Sequence, residues 1–162
     1  MARTRLGGYL VEHSSFGQPT PFETESHFLF LNGYFDLVPR YLLRTYAPNL
    51  PGHTTSDFVK SAAIKKRHLQ HDIFSRPEEE ARNMLEDHVR WKNKDTDNLT
   101  SWISSLIFAL QHAVHRYSND YPRPRKHEIA ILLVDTKILP PRTFLPAIAL
   151  LEAYEIKSPN DG

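Results

Sequence analysis

The sequence predicts an α+β fold, and three observations support this prediction. Short apolar runs with strand character lie in both halves of the chain, while the segments between them show the apolar spacing of helices. The order of these segments lacks the regular strand–helix alternation of a doubly wound parallel sheet. The chain has 162 residues, of which 40% are hydrophobic and 24% charged, so it is long enough to bury the core of one domain.

Composition excludes several classes of site and partner. The chain has no cysteine, which excludes a disulfide framework, a thiolate metal site and a cysteine nucleophile. A formal charge of +1 gives no electrostatic reason to expect nucleic acid or an anionic membrane as partner. No apolar run has the length of a membrane span, so we expect no membrane insertion. No apolar stretch follows the basic residues at the start, which favours a cytoplasmic or nuclear location.

The domain boundaries follow from changes in local composition. Residues 1–25 mix glycine, proline and polar residues without any period, which predicts a flexible N-terminal arm. Residues 26–156 carry the periodic segments and form the predicted single domain. Residues 157–162 are polar and are predicted to be a frayed tail.

The first elements of the domain are predicted from turn residues and a change of period. Asn32-Gly33 separates two apolar runs, and this dipeptide is typical of the tight turn of a β-hairpin. Residues 41–46 follow as a short strand bounded by prolines. From Ser56 the apolar residues recur at helical spacing, which predicts a helix of about four turns.

Two longer helices are predicted in the middle of the chain. Ser75 and Glu78 have the spacing of a capping box, and the helix that they begin runs to about Trp91. A strand-like segment then ends at Ser104 and Ser105, and a third helix follows. Its predicted buried stripe consists of Leu106, Ile107, Leu110, Ala113, Val114 and Tyr117.

The last third of the chain predicts a strand and a short helix. Residues 129–134 are a continuous aliphatic run, which is typical of a central strand buried on both faces. Two prolines then turn the chain. Thr143 is placed to cap a short helix that ends near Ala153.

Arg44 is the first candidate binding residue, because a guanidinium on an apolar strand requires an anionic partner. That partner is either the phosphate of a ligand or an internal carboxylate such as Asp57 or Asp135. Ser104 and Ser105 offer a similar choice. One hydroxyl caps the third helix, or the hydroxyls and early amides of that helix hold a ribose or a phosphate.

The nine histidines do not predict a metal site. His68 and His71, and likewise His112 and His115, are three residues apart and would lie on one face of a helix. Neither pair has the glutamate and spacing of a HExxH site, so we expect no metal. The glycine-rich phosphate loops and the GxSxG corner of hydrolases are also missing from the sequence.

Three segments carry a resemblance to a known family. They are an arginine strand at residues 39–45, a His-x-x-Trp helix end at 85–91 with an Ile-Ser corner at 100–106, and a Val-Asp-Thr strand at 131–139. In order and spacing they are similar to a widespread domain of fungal proteins that resembles the ADP-ribosyltransferase fold. The resemblance covers residues 38–156. It implies a split pair of small sheets around a cleft, with flanking helices and NAD as the substrate.

The resemblance also implies roles for individual residues. Arg44 would contact the phosphates or the nicotinamide ribose of NAD, and Ser104 would orient that ribose. Thr45 and Ser105 would line the same cofactor site. Glu155 would be the catalytic carboxylate beside Arg44 and Ser104. This set suits an oxocarbenium transition state, which positioning and electrostatics stabilise.

Two departures from the family pattern bear on activity. The first is Leu106, which occupies the third position of the corner where the family has Ser-Thr-Ser. The second is the short sequence after Asp135, because the family has there a further strand that carries its glutamate. The resemblance therefore implies a domain without the last strands, in which Glu152 or Glu155 on a predicted helix is the available carboxylate. Transfer of ADP-ribose, cleavage of NAD, and a degenerate or truncated form that binds NAD or ADP-ribose remain as alternatives.

A second function from another class is also compatible with the sequence. Apolar and aromatic residues cluster in the predicted hairpin, where Phe28, Phe30 and Tyr34 would be presented to a protein partner. The alternative prediction is therefore a non-catalytic interaction module of effector or regulatory type.

Overall fold

A computed structural model describes residues 26–55, 58–65, 73–92 and 95–157 of the chain. The predicted arm at residues 1–25 and nearly all of the predicted tail lie outside this part. The strands are β1 (Tyr41–Tyr46), β2 (His53–Thr54), β3 (Val59–Lys60) and β4 (Ala130–Asp135). The α-helices are α1 (Ala62–Lys65), α2 (Glu78–Val89), α3 (Leu106–Asn119) and α4 (Ala147–Ala153). Short 3-10 helices occur at Ser26–Leu37, Ile73–Ser75, Lys126–Glu128 and Thr136–Ile138.

Two small antiparallel sheets and the helices around them confirm the predicted α+β class. β1 pairs with β4 from Tyr41 opposite Asp135 to Tyr46 opposite Ala130. Both main-chain groups of Leu43 bond instead to Ile103, over N···O distances of 2.7 Å, so Ile103 lies at the other edge of β1. β2 and β3 form the second sheet. β1 is therefore flanked on both edges.

The aliphatic run at β4 is a strand as predicted, but it is not buried on both faces. Leu133 is 58% exposed, while its neighbour Val134 is buried. Among the described strands β4 pairs only with β1, so in this part of the chain it is an edge strand and not a central one. The prediction of a fully buried central strand is therefore wrong.

The main core lies between helices. It joins the N-terminal 3-10 helix to α2, to α4 and to the turn at Ile73–Ser75. Its largest fully buried side chains are Leu31, Ile73, Leu85 and Tyr154. The ring of Tyr154 stacks on that of Phe74, and its hydroxyl donates to the carbonyl of Ile73.

The predicted hairpin around Asn32-Gly33 is wrong, because residues 26–37 form a 3-10 helix. Gly33 does not have the positive φ that the predicted tight turn requires. A 3-10 helix has three residues per turn, which brings Leu31 and Tyr34 to one face. That face packs against the core beside α4. The burial of Leu31 in the core therefore outweighs the local preference of Asn32-Gly33 for a tight turn.

The predicted four-turn helix from Ser56 is confirmed only in part over its described residues, because Ala62–Lys65 is helical but Val59–Lys60 is a strand. Phe58 begins an extended stretch that leads into β3, and its amide donates to the Thr55 hydroxyl. α1 starts only after Ser61, whose Oγ accepts the amide of Ile64. Residues 66–72 of the predicted helix lie outside the described residues.

The helices after residue 75 are present, with changes at their ends. α2 begins after Pro77, which has no side-chain cap, so the predicted capping box at Ser75 and Glu78 is wrong. α4 likewise begins after Pro146. The Thr143 hydroxyl, predicted as its cap, donates instead to the carbonyl of Pro140.

α3 lies against the sheet through its smallest residues. Ala109 is fully buried, whereas most of the predicted stripe is exposed, with Ile107 at 71%. A shallow depression of about 500 Å³ runs along this outer face, lined by Leu110 and Val114 among others, all on α3. The helix therefore turns its large apolar side chains away from β1, and the prediction that they form core is wrong.

Candidate functional site

Arg44 lies in the middle of β1 and is only 9% exposed. Its Nε donates to Thr54 Oγ1 at 3.3 Å, and its Nη1 donates to the carbonyl oxygen of Ser101 at 2.6 Å. Burial lowers the pKa of this guanidinium to about 10, with Asp97 opposing the shift and Arg116 adding to it. Arg44 thus holds β1 to the second sheet and to the loop before α3.

Of the two internal carboxylates predicted as partners of Arg44, the structure describes only Asp135. Asp135 binds Arg40 instead, at 3.0 Å between Oδ2 and Nη2. Asp57 lies outside the described residues. Within the described ranges the guanidinium of Arg44 bonds to two neutral oxygens and to no carboxylate.

A second polar group lies beside Arg44 and was not singled out from the sequence. His88, in the last turn of α2, has its Nδ1 2.6 Å from Asp97 Oδ2 and its Nε2 2.8 Å from Ser101 Oγ. An ionised carboxylate only accepts hydrogen bonds, so in the neutral imidazole Nδ1 carries the proton and Nε2 accepts from the Ser101 hydroxyl. The three side chains form one hydrogen-bonded series.

The loop between α2 and α3 holds this series in place. Asp97 Oδ1 accepts the amide of Leu99 at 2.8 Å, and the Asp97 carbonyl accepts the amide of Ala63. Ser101 bonds to His88 through its hydroxyl and to Arg44 through its carbonyl. Because the series depends on the path of this loop, spacing along the chain gave little signal for it. The only sequence signal is a histidine, an aspartate and a serine within one helix–loop segment.

The other predicted cofactor residues lie near β1 but make contacts within the fold. The Thr45 hydroxyl is buried and donates to the carbonyl of Ala109 at 2.9 Å. Ser105 caps α3, since its Oγ accepts the amide of Phe108. Ser104 is exposed and directly follows Ile103, the residue that bridges to β1. Ser104 and Ser105 are both exposed residues, whereas Thr45 is buried.

The structure does not bring the predicted catalytic glutamate together with Arg44. Glu155 lies just beyond α4 with a φ of 52°, and its carboxylate contacts Arg82 on α2 at 3.5 Å. Glu152 on α4 accepts the hydroxyl of Tyr34. Both carboxylates therefore contact elements of the helical core.

The described histidines form no metal site. Among residues 26–55, 58–65, 73–92 and 95–157, no group of three or more His, Asp or Glu side chains is placed to hold an ion. His112 contacts Trp91 with ring centroids 5.1 Å apart, and its Nε2 accepts from Arg116. His68 and His71 lie outside the described residues.

The residues predicted to dock a partner are only partly described. Phe30 is exposed on the N-terminal 3-10 helix, as is its neighbour Leu29. Tyr34 packs partly against the core. The side chain of Phe28 lies outside the described residues.

The fold and the site define an α+β domain with a polar site beside the strand β1. The family described as "Domain of unknown function (DUF7587)" matches residues 37–162, so the chain belongs to that family. No curated protein and no solved structure matches the chain. Within the described residues, no helix is long and apolar enough to cross a membrane.

Proposed function

We propose that this domain is similar to ADP-ribosyltransferases and binds NAD or ADP-ribose beside β1, without transferring ADP-ribose. The observation that carries the proposal is the buried guanidinium of Arg44, which bonds to neutral oxygens alone among the described residues. The resemblance of the arginine strand and of the Ile-Ser corner to that family supports the same assignment.

The charge of Arg44 is the physical argument for an anionic ligand. A cation taken out of water is unfavourable unless an anion compensates it. The lowered pKa of Arg44 reflects this cost. A phosphate would offset the cost, because a guanidinium binds phosphate oxygens through parallel N–H groups. A bound pyrophosphate is therefore expected to stabilise the folded domain.

Ser104 is the second residue of the proposed site. Ser104 is exposed and lies between Ile103, which bridges to β1, and the start of α3. It is therefore close to the first backbone amides of a helix of 14 residues. The backbone amides at the start of a helix favour the binding of anions, and a hydroxyl beside them can exchange hydrogen bonds with a ribose. The hydroxyls of Thr45 and Ser105 have partners within the fold, so the proposal rests on Arg44 and Ser104.

The contacts of Glu155 support binding without transfer. Stabilisation of an oxocarbenium ion requires a carboxylate beside the ribose. Glu155 contacts Arg82 and follows α4, which packs on the core and the N-terminal 3-10 helix.

Calorimetric titration with NAD and with ADP-ribose tests the proposal, with release of nicotinamide followed in the same sample. We expect binding of both ligands without release. Arg44→Gln should weaken binding at least about tenfold, since a charge-assisted pair is lost. Arg40→Gln, at the exposed start of β1, is the matched control and should leave binding unchanged.

Two further variants keep the test decisive if Arg44→Gln fails to fold. Ser104→Ala removes one exposed hydroxyl and should weaken binding about threefold to tenfold. Asp57→Asn distinguishes a ligand phosphate from an internal carboxylate as the partner of Arg44. Absence of NAD and ADP-ribose binding by the unaltered chain would refute the proposal. Release of nicotinamide would show that NAD is cleaved and would refute binding without turnover.

A protein-interaction module is the second candidate function. The observation that favours it is the pair of exposed residues Leu29 and Phe30 on the N-terminal 3-10 helix. We propose a second copy of the chain as the occupant to test first, by sedimentation at increasing concentration. Association that is lost on Phe30→Asp would favour this function, and a monomer at all concentrations would exclude this occupant.

A further inference from the structure

The series Asp97, His88 and Ser101 has the connectivity of an activated serine. The carboxylate accepts from Nδ1 at 2.6 Å, and Nε2 accepts from the serine hydroxyl at 2.8 Å. We propose that Ser101 is a nucleophile that takes the acyl group of a carboxylic ester, with His88 as general base and Asp97 as the residue that orients His88. This activity goes beyond the proposed nucleotide binding, although Arg44 has a role in both.

The hydrogen-bond pattern selects the reactive tautomer of His88. Asp97 keeps the proton on Nδ1, which leaves the lone pair of Nε2 directed at the Ser101 hydroxyl. A base within hydrogen-bond reach of the proton it removes is the first requirement of general base catalysis. The same carboxylate stabilises the imidazolium that forms when His88 accepts that proton.

Two members of the series, Asp97 and Ser101, are held by contacts outside it. Asp97 is fixed by the amides of Leu99 and Ala63, one on its carboxylate and one on its carbonyl. Ser101 is held by Arg44, whose Nη1 bonds to its carbonyl. Such supporting contacts keep a catalytic group in position before the substrate arrives.

The exposure of the three side chains fits the roles that we propose for them. Ser101 is exposed, while the side chains of His88 and Asp97 are only 17% and 15% exposed. A substrate carbonyl would reach the serine, whereas the base and the carboxylate are shielded from solvent. Because the serine lies on a surface loop, small activated esters with unhindered carbonyl groups are the class that it would accept.

The proposed reaction has two balanced steps. Ser101 Oγ forms a bond to the carbonyl carbon of the ester while its proton passes to His88 Nε2. The bond to the alcohol oxygen then breaks, and the leaving alcohol takes the proton from Nε2. In the second step a water molecule gives a proton to His88 Nε2 and bonds to the acyl carbon, the bond from that carbon to Ser101 Oγ breaks, and Nε2 returns the proton to Oγ, which releases a carboxylic acid and restores Ser101.

A fluorophosphonate reagent tests the nucleophile directly, because the serine oxygen displaces fluoride and keeps the phosphonyl group. The full chain is incubated with the reagent, and the adduct is found by intact mass and peptide mapping. We expect one adduct, on Ser101, and slow hydrolysis of p-nitrophenyl acetate by the same protein. Both should be absent in Ser101→Ala, while Ser118→Ala, on the exposed end of α3, should react like the unaltered chain.

Variants of the other two residues test their roles. His88→Gln should slow labelling at least about 100-fold, within the range for loss of a general base, and Asp97→Asn should slow it by a smaller factor. If the series Asp97, His88 and Ser101 were only structural, these substitutions would change the unfolding temperature, and the unaltered chain would form no adduct.

The absence of cysteine provides a second test that does not depend on the hydroxyl. In Ser101→Cys the only thiol of the chain lies beside His88, which should make its alkylation by iodoacetamide at least about tenfold faster than that of Ser118→Cys. Equal alkylation rates, together with no fluorophosphonate adduct on the unaltered chain, would overturn the proposal.

Discussion

Burial gives the two basic residues near the α3 side of β1 different charge states. Arg44 keeps its proton at neutral pH, because a pKa of about 10 is still well above 7. His112 has its pKa lowered by burial and by the nearby charges of Arg116, His115 and Arg44, with Asp120 opposing the shift. Arg44 therefore remains a cation able to bind an anion, whereas His112 is held in its neutral form.

The neutral form of His112 makes stability depend on pH. Its pKa in the folded protein lies below the ordinary value of 6.5, so below that pH the unfolded chain binds more protons than the folded one. We expect the free energy of unfolding to fall on acidification below about pH 6.5. In His112→Phe this dependence should be reduced, as measured by urea unfolding at pH 5 and pH 8. His127→Phe, which is exposed and is not among the groups that shift the pKa of His112, is the control, and an equal pH dependence in all three proteins would contradict the prediction.

The Thr45 hydroxyl bonds within the fold. Thr45→Val keeps the side-chain shape but removes the bond to the carbonyl of Ala109, which should cost about 1 kcal/mol of unfolding free energy. Because Thr45 is buried against α3, affinity for NAD should not change. Denaturant unfolding and calorimetry on the same sample measure both quantities. A loss of affinity with unchanged stability would place Thr45 in the site instead.

The sequence reveals Arg44 more readily than the series beside it. An arginine inside an apolar strand is unusual by itself, so its functional interest could be predicted from a few neighbours. The contact between His88 and Ser101 depends on the path of the loop that joins α2 to α3. Loop paths are set by tertiary contacts, here those of Asp97 with Leu99 and Ala63, and no local pattern encodes them.

At the scale of elements, the positions of three elements were predicted correctly. β1 has the bounds predicted from the sequence, and α2 and α3 occupy the predicted regions, although the large apolar residues of α3 are exposed. The Asn-Gly hairpin is wrong because Leu31 is buried in the core, and the start of the helix predicted from Ser56 is wrong because β2 pairs with β3. Local propensity is a weak preference that packing overrides.

Two glycines allow a test of this difference between elements. Gly52 has a φ of 80°, and a Cβ there would lie 2.3 Å from the carbonyl oxygen of Lys60, so Gly52→Ala should destabilise the domain by about 2 kcal/mol or more. Gly33 has open space around it within the N-terminal 3-10 helix, so Gly33→Ala should stabilise by about 0.5 kcal/mol. Thermal unfolding measures both. Destabilisation by Gly33→Ala would instead favour the hairpin that the sequence predicts.

The whole molecule divides its apolar residues unevenly. Large side chains fill the core between α2, α4 and the N-terminal 3-10 helix, whereas α3 meets the sheet through Ala109. The large apolar residues of α3 stay on its outer face. Stability is therefore expected to come mainly from the helical core, while the sheet side positions the polar site.

A pair of substitutions tests this division. Leu85→Ala opens a cavity in the helical core and should cost about 2–5 kcal/mol. Ile107→Ala removes an exposed side chain from α3 and should change stability by no more than about 0.5 kcal/mol. Urea unfolding curves of the two variants give the comparison. A similar loss in both would show that the outer face of α3 is buried in solution.

The pairing of β1 with β4 also affects the order of folding. The ion pair of Arg40 and Asp135 at one end of this sheet joins residues 95 positions apart, so nearly all of the intervening chain must be closed into a loop before the strands meet. Contacts of such long range form slowly compared with helices. During synthesis, the edge of β1 that pairs with β4 has no partner until Ala130 and the residues after it have left the ribosome. In that interval β1 is exposed to pairing with the strands of other nascent chains.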